Sequence, residues 1–195
     1  MIVQGKETNF DTDLFVPIMR EISTLTGKNY GQSPEVDTAL KIVADHARFA
    51  AFAIADGIVP SNEGRGYILR MIIRRAIRYG QKYLGFSNTA GTFAKVAQAV
   101  CQQYGEHYQE LKAKASFIQS TLTEEEARFI DTLDKGLKRL TDILDEVKRS
   151  KQKVVSGDDA FKLYDTYGFP VELTRDIVEE EGLSVDMDGF ETAME

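Results

Sequence analysis

Apolar residues recur at helical spacing along most of the chain, which leaves little room for a sheet. The clearest stretch opens at Ser33-Pro34. The serine suits a helix cap, and proline at the first helical position gives up an N–H that has no partner there anyway. Val36, Leu40, Val43, Ala47, Ala50 and Ile54 follow at alternating spacings of four and three. That packing seam predicts a helix ending near Asp56-Gly57.

The same reasoning places helices elsewhere. Asp11 or Thr12 caps a helix through about Thr26, with Leu14, Phe15, Ile18, Met19, Ile22 and Leu25 on its apolar side. A shorter helix spans about 92–104, and another begins near Glu106. Thr123-Glu124-Glu125-Glu126 has the form of a capping box and predicts a helix start, with the end near Arg149. Residues 151–157 are the best break in the chain, with Val154-Val155 as a short strand. A helix over 158–167 is closed by Gly168-Phe169-Pro170, another runs to about Gly182, and the last residues begin one more. The expected fold is all-α, a bundle of about seven to nine helices with at most a short β element near 153–156. Two helical subdomains are expected, 1–122 and 123–195, forming one unit of function.

At 195 residues, a chain can bury about 70% of its unfolded surface. A single cysteine, Cys101, excludes an internal disulfide and suits a reducing compartment. No apolar run approaches the ~18 residues of a membrane span, and the first residues have no export signal, so a cytoplasmic protein is expected. His46, His107 and Cys101 lie too far apart in sequence for a typical zinc site, and no metal is expected. Residues 62–66 lack the Gly-Lys-Ser/Thr ending of a phosphate-binding loop. No catalytic constellation is visible.

The charge pattern is more informative. Arg65, Arg70, Arg74, Arg75, Arg78 and Lys82 fall in one stretch without an acid, inside a chain whose formal charge is −7. Stepping about 100° per residue puts Ile68, Leu69, Ile72, Ile73, Ala76 and Tyr79 on one arc. Arg70, Arg74, Arg75, Arg78 and Lys82 fall on the other, a cationic ridge. Arg70, Arg74 and Arg78 stack at i, i+4, i+8, a repulsion that phosphates across the ridge would relieve. On charge alone, a solvated helix face, a surface for an acidic protein and a nucleic-acid surface all fit.

The stretch PSNEGRGYILRMIIRRAIRYG (60–80) resembles the central signature of the alanyl-tRNA synthetase family. AFKLYDTYGFPVELT (160–174) resembles its other diagnostic block. NFDTDLF (9–15), DHARFAAFAIADG (45–57) and TEEEARFIDTLDKGL (123–137) match in the same order, so the resemblance covers essentially the whole chain. Met71 departs from the pattern, since the family more often has arginine there.

The resemblance implies the region that recognises the tRNA acceptor stem and its G·U wobble pair. The class II catalytic domain, which uses ATP and magnesium, would precede it. The editing domain with its zinc and the C-terminal domain would follow. By that resemblance this chain holds no cofactor and no catalytic residue. Its partners are the acceptor stem of tRNA(Ala) and the catalytic and editing domains of a parent enzyme, with neither membrane nor DNA expected. Asn62 and Asp165 match the family's wobble-reading pair. Read from the residues alone, Asn62 equally suits a turn and Asp165 a helix end. Arg74, Arg75 and Arg78 would hold phosphates, Arg70 and Lys82 assisting, with Arg65 beside the reading turn. The alternative is a helical protein-interaction module that uses the basic face.

Overall fold

A computed structural model describes residues 2–194. Nine α-helices and two two-residue strands are present among them, so the fold is the all-α one that the periodicity predicts. The chain divides into two compact units, residues 1–127 and 128–195.

The first unit is built on helix α2, Pro34–Ala55. Ser33 is extended and its hydroxyl accepts the Val36 N–H at 3.3 Å, while Pro34 occupies the first turn. Every residue of the expected seam is buried, and so are Ala39, Ala44, Ala51, Ala53 and Ala55. Alanines around the circumference let neighbours approach closely on several sides. Helices α1 (Val16–Thr26), α3 (Gly64–Tyr79), α4 (Thr92–Tyr104) and α5 (Gln109–Ala113) all pack against α2. Arg48 of α2 lies over the rings of Phe15, Phe52 and Tyr104 at 5.4–5.8 Å, extending the core by cation–π contact.

Several boundaries differ from expectation. Helix α1 begins only after Phe15, because Asn9–Asp11 form a short 3-10 turn and Thr12 Oγ1 bonds back to the Asn9 carbonyl. Leu14 and Leu25 are exposed. Helix α3 passes into a π turn at Gly80–Leu84. There Gly80 lies so close to the buried Phe86 that a Cβ would sit 2.5 Å from its ring.

The expected helix start at Thr123 does not exist. Helix α6 runs unbroken over Ala115–Arg149, with Thr123 inside it. Ile118 and Leu122 are fully buried ahead of the acidic run, and continuous apolar spacing outweighs a local capping pattern. The border between the two units falls within α6, between Ala127 and Arg128.

The second unit contains the remainder of α6, then α7 (Gly157–Tyr167), α8 (Val171–Glu180) and α9 (Met187–Met194). The Ser156 hydroxyl accepts the Asp159 N–H to cap α7, and Gly168 ends it in the left-handed region at φ 57°. Strand β1 (Val154–Val155) has a partner that the sequence did not announce, β2 (Ser184–Val185). They pair in parallel, Val154 opposite Ser184 and Val155 opposite Val185. Phe169 is fully buried and lies where a side chain on Gly136 of α6 would stand, 2.6 Å from a built Cβ. Phe161 and Tyr164 of α7 pack on Phe190 of α9.

The start of α7 and α9 meet backbone to backbone at Gly157. A Cβ there would come within 2.2 Å of Gly189 C and Phe190 N. Gly157→Ala should therefore destabilise the second unit by about 1–3 kcal/mol, the usual cost of overpacking. Thermal unfolding followed by circular dichroism checks this, and an unchanged midpoint would mean that the α7–α9 approach is not as close as described.

Candidate nucleic-acid interface

The basic stretch folds as a tight turn followed by α3. Ser61 N–H donates to the Gly66 carbonyl at 3.2 Å, and Ser61 Oγ donates to the Glu63 carbonyl at 2.9 Å. Gly64 stands at φ 56°. Gly66 faces Ser61 so closely that a Cβ would lie 2.4 Å from the Val59 carbonyl oxygen. These contacts hold Asn62 at the exposed tip, just before the helix. Its Oδ1 accepts a hydrogen bond from Arg70 Nη1.

The cations do not form one exposed ridge. Arg65 and Lys82 are exposed, Arg70 and Arg75 half-buried, and Arg74 and Arg78 only 6% exposed each. Ile68, placed by the helical projection on the inner arc, is 46% exposed instead. For Arg70 and Arg74 the reason lies in α6. Arg74 Nε donates to Glu125 Oε1 at 2.7 Å, and Arg70 Nε lies 3.5 Å from the same oxygen. Glu125 is 1% exposed. Burial pulls the Arg74 guanidinium below its ordinary pKa, and the Glu125 carboxylate opposes that pull. A buried acid thus draws the arginine face of α3 inward. Arg75 and the buried Arg78 lie over Tyr79 at 5.7 and 5.8 Å, and Lys82 over Tyr83 at 4.9 Å.

Glu126 is also 1% exposed and acts on another helix. Its carboxylate accepts the Gly91 N–H at 2.7 Å and the Phe93 N–H at 3.1 Å, closing the start of α4. One acid of 123–126, Glu126, therefore does cap a helix end, but not its own. Their positions held the signal. Glu125 and Glu126 fall on the buried stripe Ile118, Leu122, Phe129, Leu133, and an acid on an apolar seam needs a donor from elsewhere.

Asp165 belongs to the second unit and Asn62 to the first. Asp165 is exposed in the last turn of α7, two residues before Tyr167. His46 is half-buried on α2, with Nδ1 3.4 Å from Asp45 Oδ2, and lines a cavity of about 470 Å³ with Arg48, Phe52 and Tyr108. Cys101 is buried on the apolar face of α4, and that burial pushes its thiol pKa up. Among the described residues no group of three or more His, Cys, Asp or Glu side chains is placed to hold a metal ion. No helix among them is long and apolar enough to cross a membrane.

Two outcomes test the buried acids. Glu125→Ala should lower stability by about 3 kcal/mol, the scale for breaking a buried ion pair, measured by denaturant unfolding. Burial raises the Glu126 carboxyl pKa, outweighing the N–H groups of Phe93 and Gly91 that lower it. A carboxyl that holds its proton more tightly when folded stabilises the fold below its unfolded pKa. That contribution is lost as pH rises through the raised value. Glu126→Gln should thus remove part of the stability decline that sets in as pH rises above the ordinary carboxylate range, and an unaltered pH profile would mean that the carboxyl is not shifted.

Comparison with known proteins matches this sequence to a family model described as tRNA synthetases class II (A), over residues 1–195. The chain is 50% identical to an alanine–tRNA ligase of Desulfosudis oleivorans over 193 residues, 99% of this chain and 22% of the relative. Alanine–tRNA ligases of Listeria monocytogenes and Bacillus subtilis are 48% and 46% identical, again over 99% of this chain and 22% of each relative. The chain thus spans about a fifth of the length of these relatives.

Proposed function

This chain belongs to the class II (A) tRNA synthetases, and from that premise we propose that it is the acceptor-stem recognition region of an alanine–tRNA ligase. In this reading Asn62 and Asp165 contact the G·U wobble pair, and cations of the first unit hold the phosphate backbone. The observation that supports it most directly is the turn before α3. Ser61 and Gly66 fold it tightly, and it displays Asn62 to solvent among basic residues.

The chemistry suits an A-form stem, whose shallow minor groove exposes base edges and 2′-hydroxyls. Wobble pairing leaves the guanine exocyclic amine without its usual partner. A carboxylate only accepts, so Asp165 complements that donor, and the Asn62 carboxamide supplies a second polar contact. Burial divides the cations by role. Arg65 and Lys82 are exposed and Arg75 lies at the edge, so these suit phosphate contact. Arg70, Arg74 and Arg78 lie deeper and contribute to the local field while fastening α3. Amino-acid activation with ATP and magnesium, and editing at a zinc site, would belong to other parts of a parent enzyme. Those parts and tRNA(Ala) would be its partners in the cytoplasm.

Titration with two acceptor-stem minihelices differing only in G·U versus G·C tests the reading at two salt concentrations. The G·U stem should bind more tightly. Asp165→Ala should erode that preference by about 1–3 kcal/mol. Arg65→Ala or Lys82→Ala should weaken both stems alike and change the salt slope by about 0.7–0.9. Equal losses on both stems for Asp165→Ala would assign it a structural role, and absence of RNA binding would favour a protein-interaction surface.

A further inference from the structure

The Asn62 carboxamide has two chemically different ends, an oxygen that only accepts and an NH2 that only donates. An exposed amide with no fixed partner can turn either end outward. Here one end is committed, because Arg70 Nη1 donates to Asn62 Oδ1. A guanidinium has no acceptor, so the oxygen faces it and the NH2 group is turned away.

Arg70 is itself held. Its Nε lies 3.5 Å from Glu125 Oε1, and its side chain is only 19% exposed. Glu125 is fixed in turn by the 2.7 Å bond from Arg74 Nε. A buried carboxylate on α6 thus lies beside the one arginine that donates to the exposed amide. A phosphate contact would ask Arg70 to reach outward, and both observed contacts use its guanidinium elsewhere.

We infer that Arg70 and Glu125 are positioning residues that fix the Asn62 carboxamide with its N–H donors outward, toward an acceptor on the minor-groove edge of the RNA stem. That acceptor is a base carbonyl oxygen or a ribose 2′-hydroxyl. The inference rests on the reading of Asn62 as a base-contacting residue. Arg70 is then not a phosphate ligand, although it lies within the basic stretch.

The test compares the G·U and G·C minihelices on this chain and on Asn62→Ala, Arg70→Lys, Arg70→Met and the combined Asn62→Ala/Arg70→Met variant. Lysine keeps the charge that a phosphate contact needs but lacks the Nε and Nη1 fork that spans Glu125 and Asn62. Arg70→Lys and Arg70→Met should each reduce the G·U preference about tenfold, matching Asn62→Ala. The combined variant should show no further loss of preference. Glu125→Gln, which retains the side-chain shape, should show the same loss in weaker form.

If lysine restores wild-type behaviour, while methionine weakens both stems and flattens the salt dependence, Arg70 is a phosphate ligand and the inference falls. If Asn62→Ala abolishes the preference but neither Arg70 variant does, only the positioning role fails. If Asn62→Ala leaves the preference intact, or the unsubstituted chain shows none, the base-reading role fails and the positioning role with it.

Discussion

The first unit depends on two buried carboxylates that leave α6 for neighbouring helices. Glu125 binds Arg74 at 2.7 Å, and Glu126 binds the N–H groups at the start of α4 at 2.7 and 3.1 Å. An unpartnered carboxylate in such a place would cost several kcal/mol, at about the scale of a buried ion. Each acid therefore needs its donor in place in the packed structure. The outcome is specific, since an apolar contact tolerates sliding whereas an ion pair and two N–H donors require one register.

That constraint reshapes the basic stretch. Arginines drawn toward Glu125 no longer face solvent, and the surface is left with Arg65, Lys82 and the edge of Arg75. The loss of outward charge is balanced by a gain in order. Arg70 links the buried acid to the exposed tip of the turn, so that the polar end displayed at Asn62 is fixed by the interior. Sub-ångström order at a recognition surface comes from such supports more than from the surface itself.

Much of the fold was legible in local pattern. Ser33-Pro34 and the seam to Ile54 describe α2 closely, and the helix expected over about 92–104 is α4. Val154-Val155 is a strand as expected, but a two-residue strand carries no mark of its partner at 184–185. The capping pattern at 123–126 misled because it is written in the same letters whether the acids serve their own helix or another. The projection of α3 failed at Ile68, Arg74 and Arg78, and for Arg74 the reason is related. A helical wheel sorts residues by polarity and has no access to a buried acid contributed from fifty residues away.

The amino-acid sequence by itself determined the all-α class, most helix limits, the break after Arg149, the glycine-rich turn before α3 and membership of the family. All of these rest on short-range periodicity, on turn chemistry or on residue identity in order. Only the tertiary structure decided which cations lie inside, which acids pair with them and which end of Asn62 faces outward. Those outcomes depend on the desolvation of charges, and desolvation is set by what packs around a side chain and not by its neighbours along the chain.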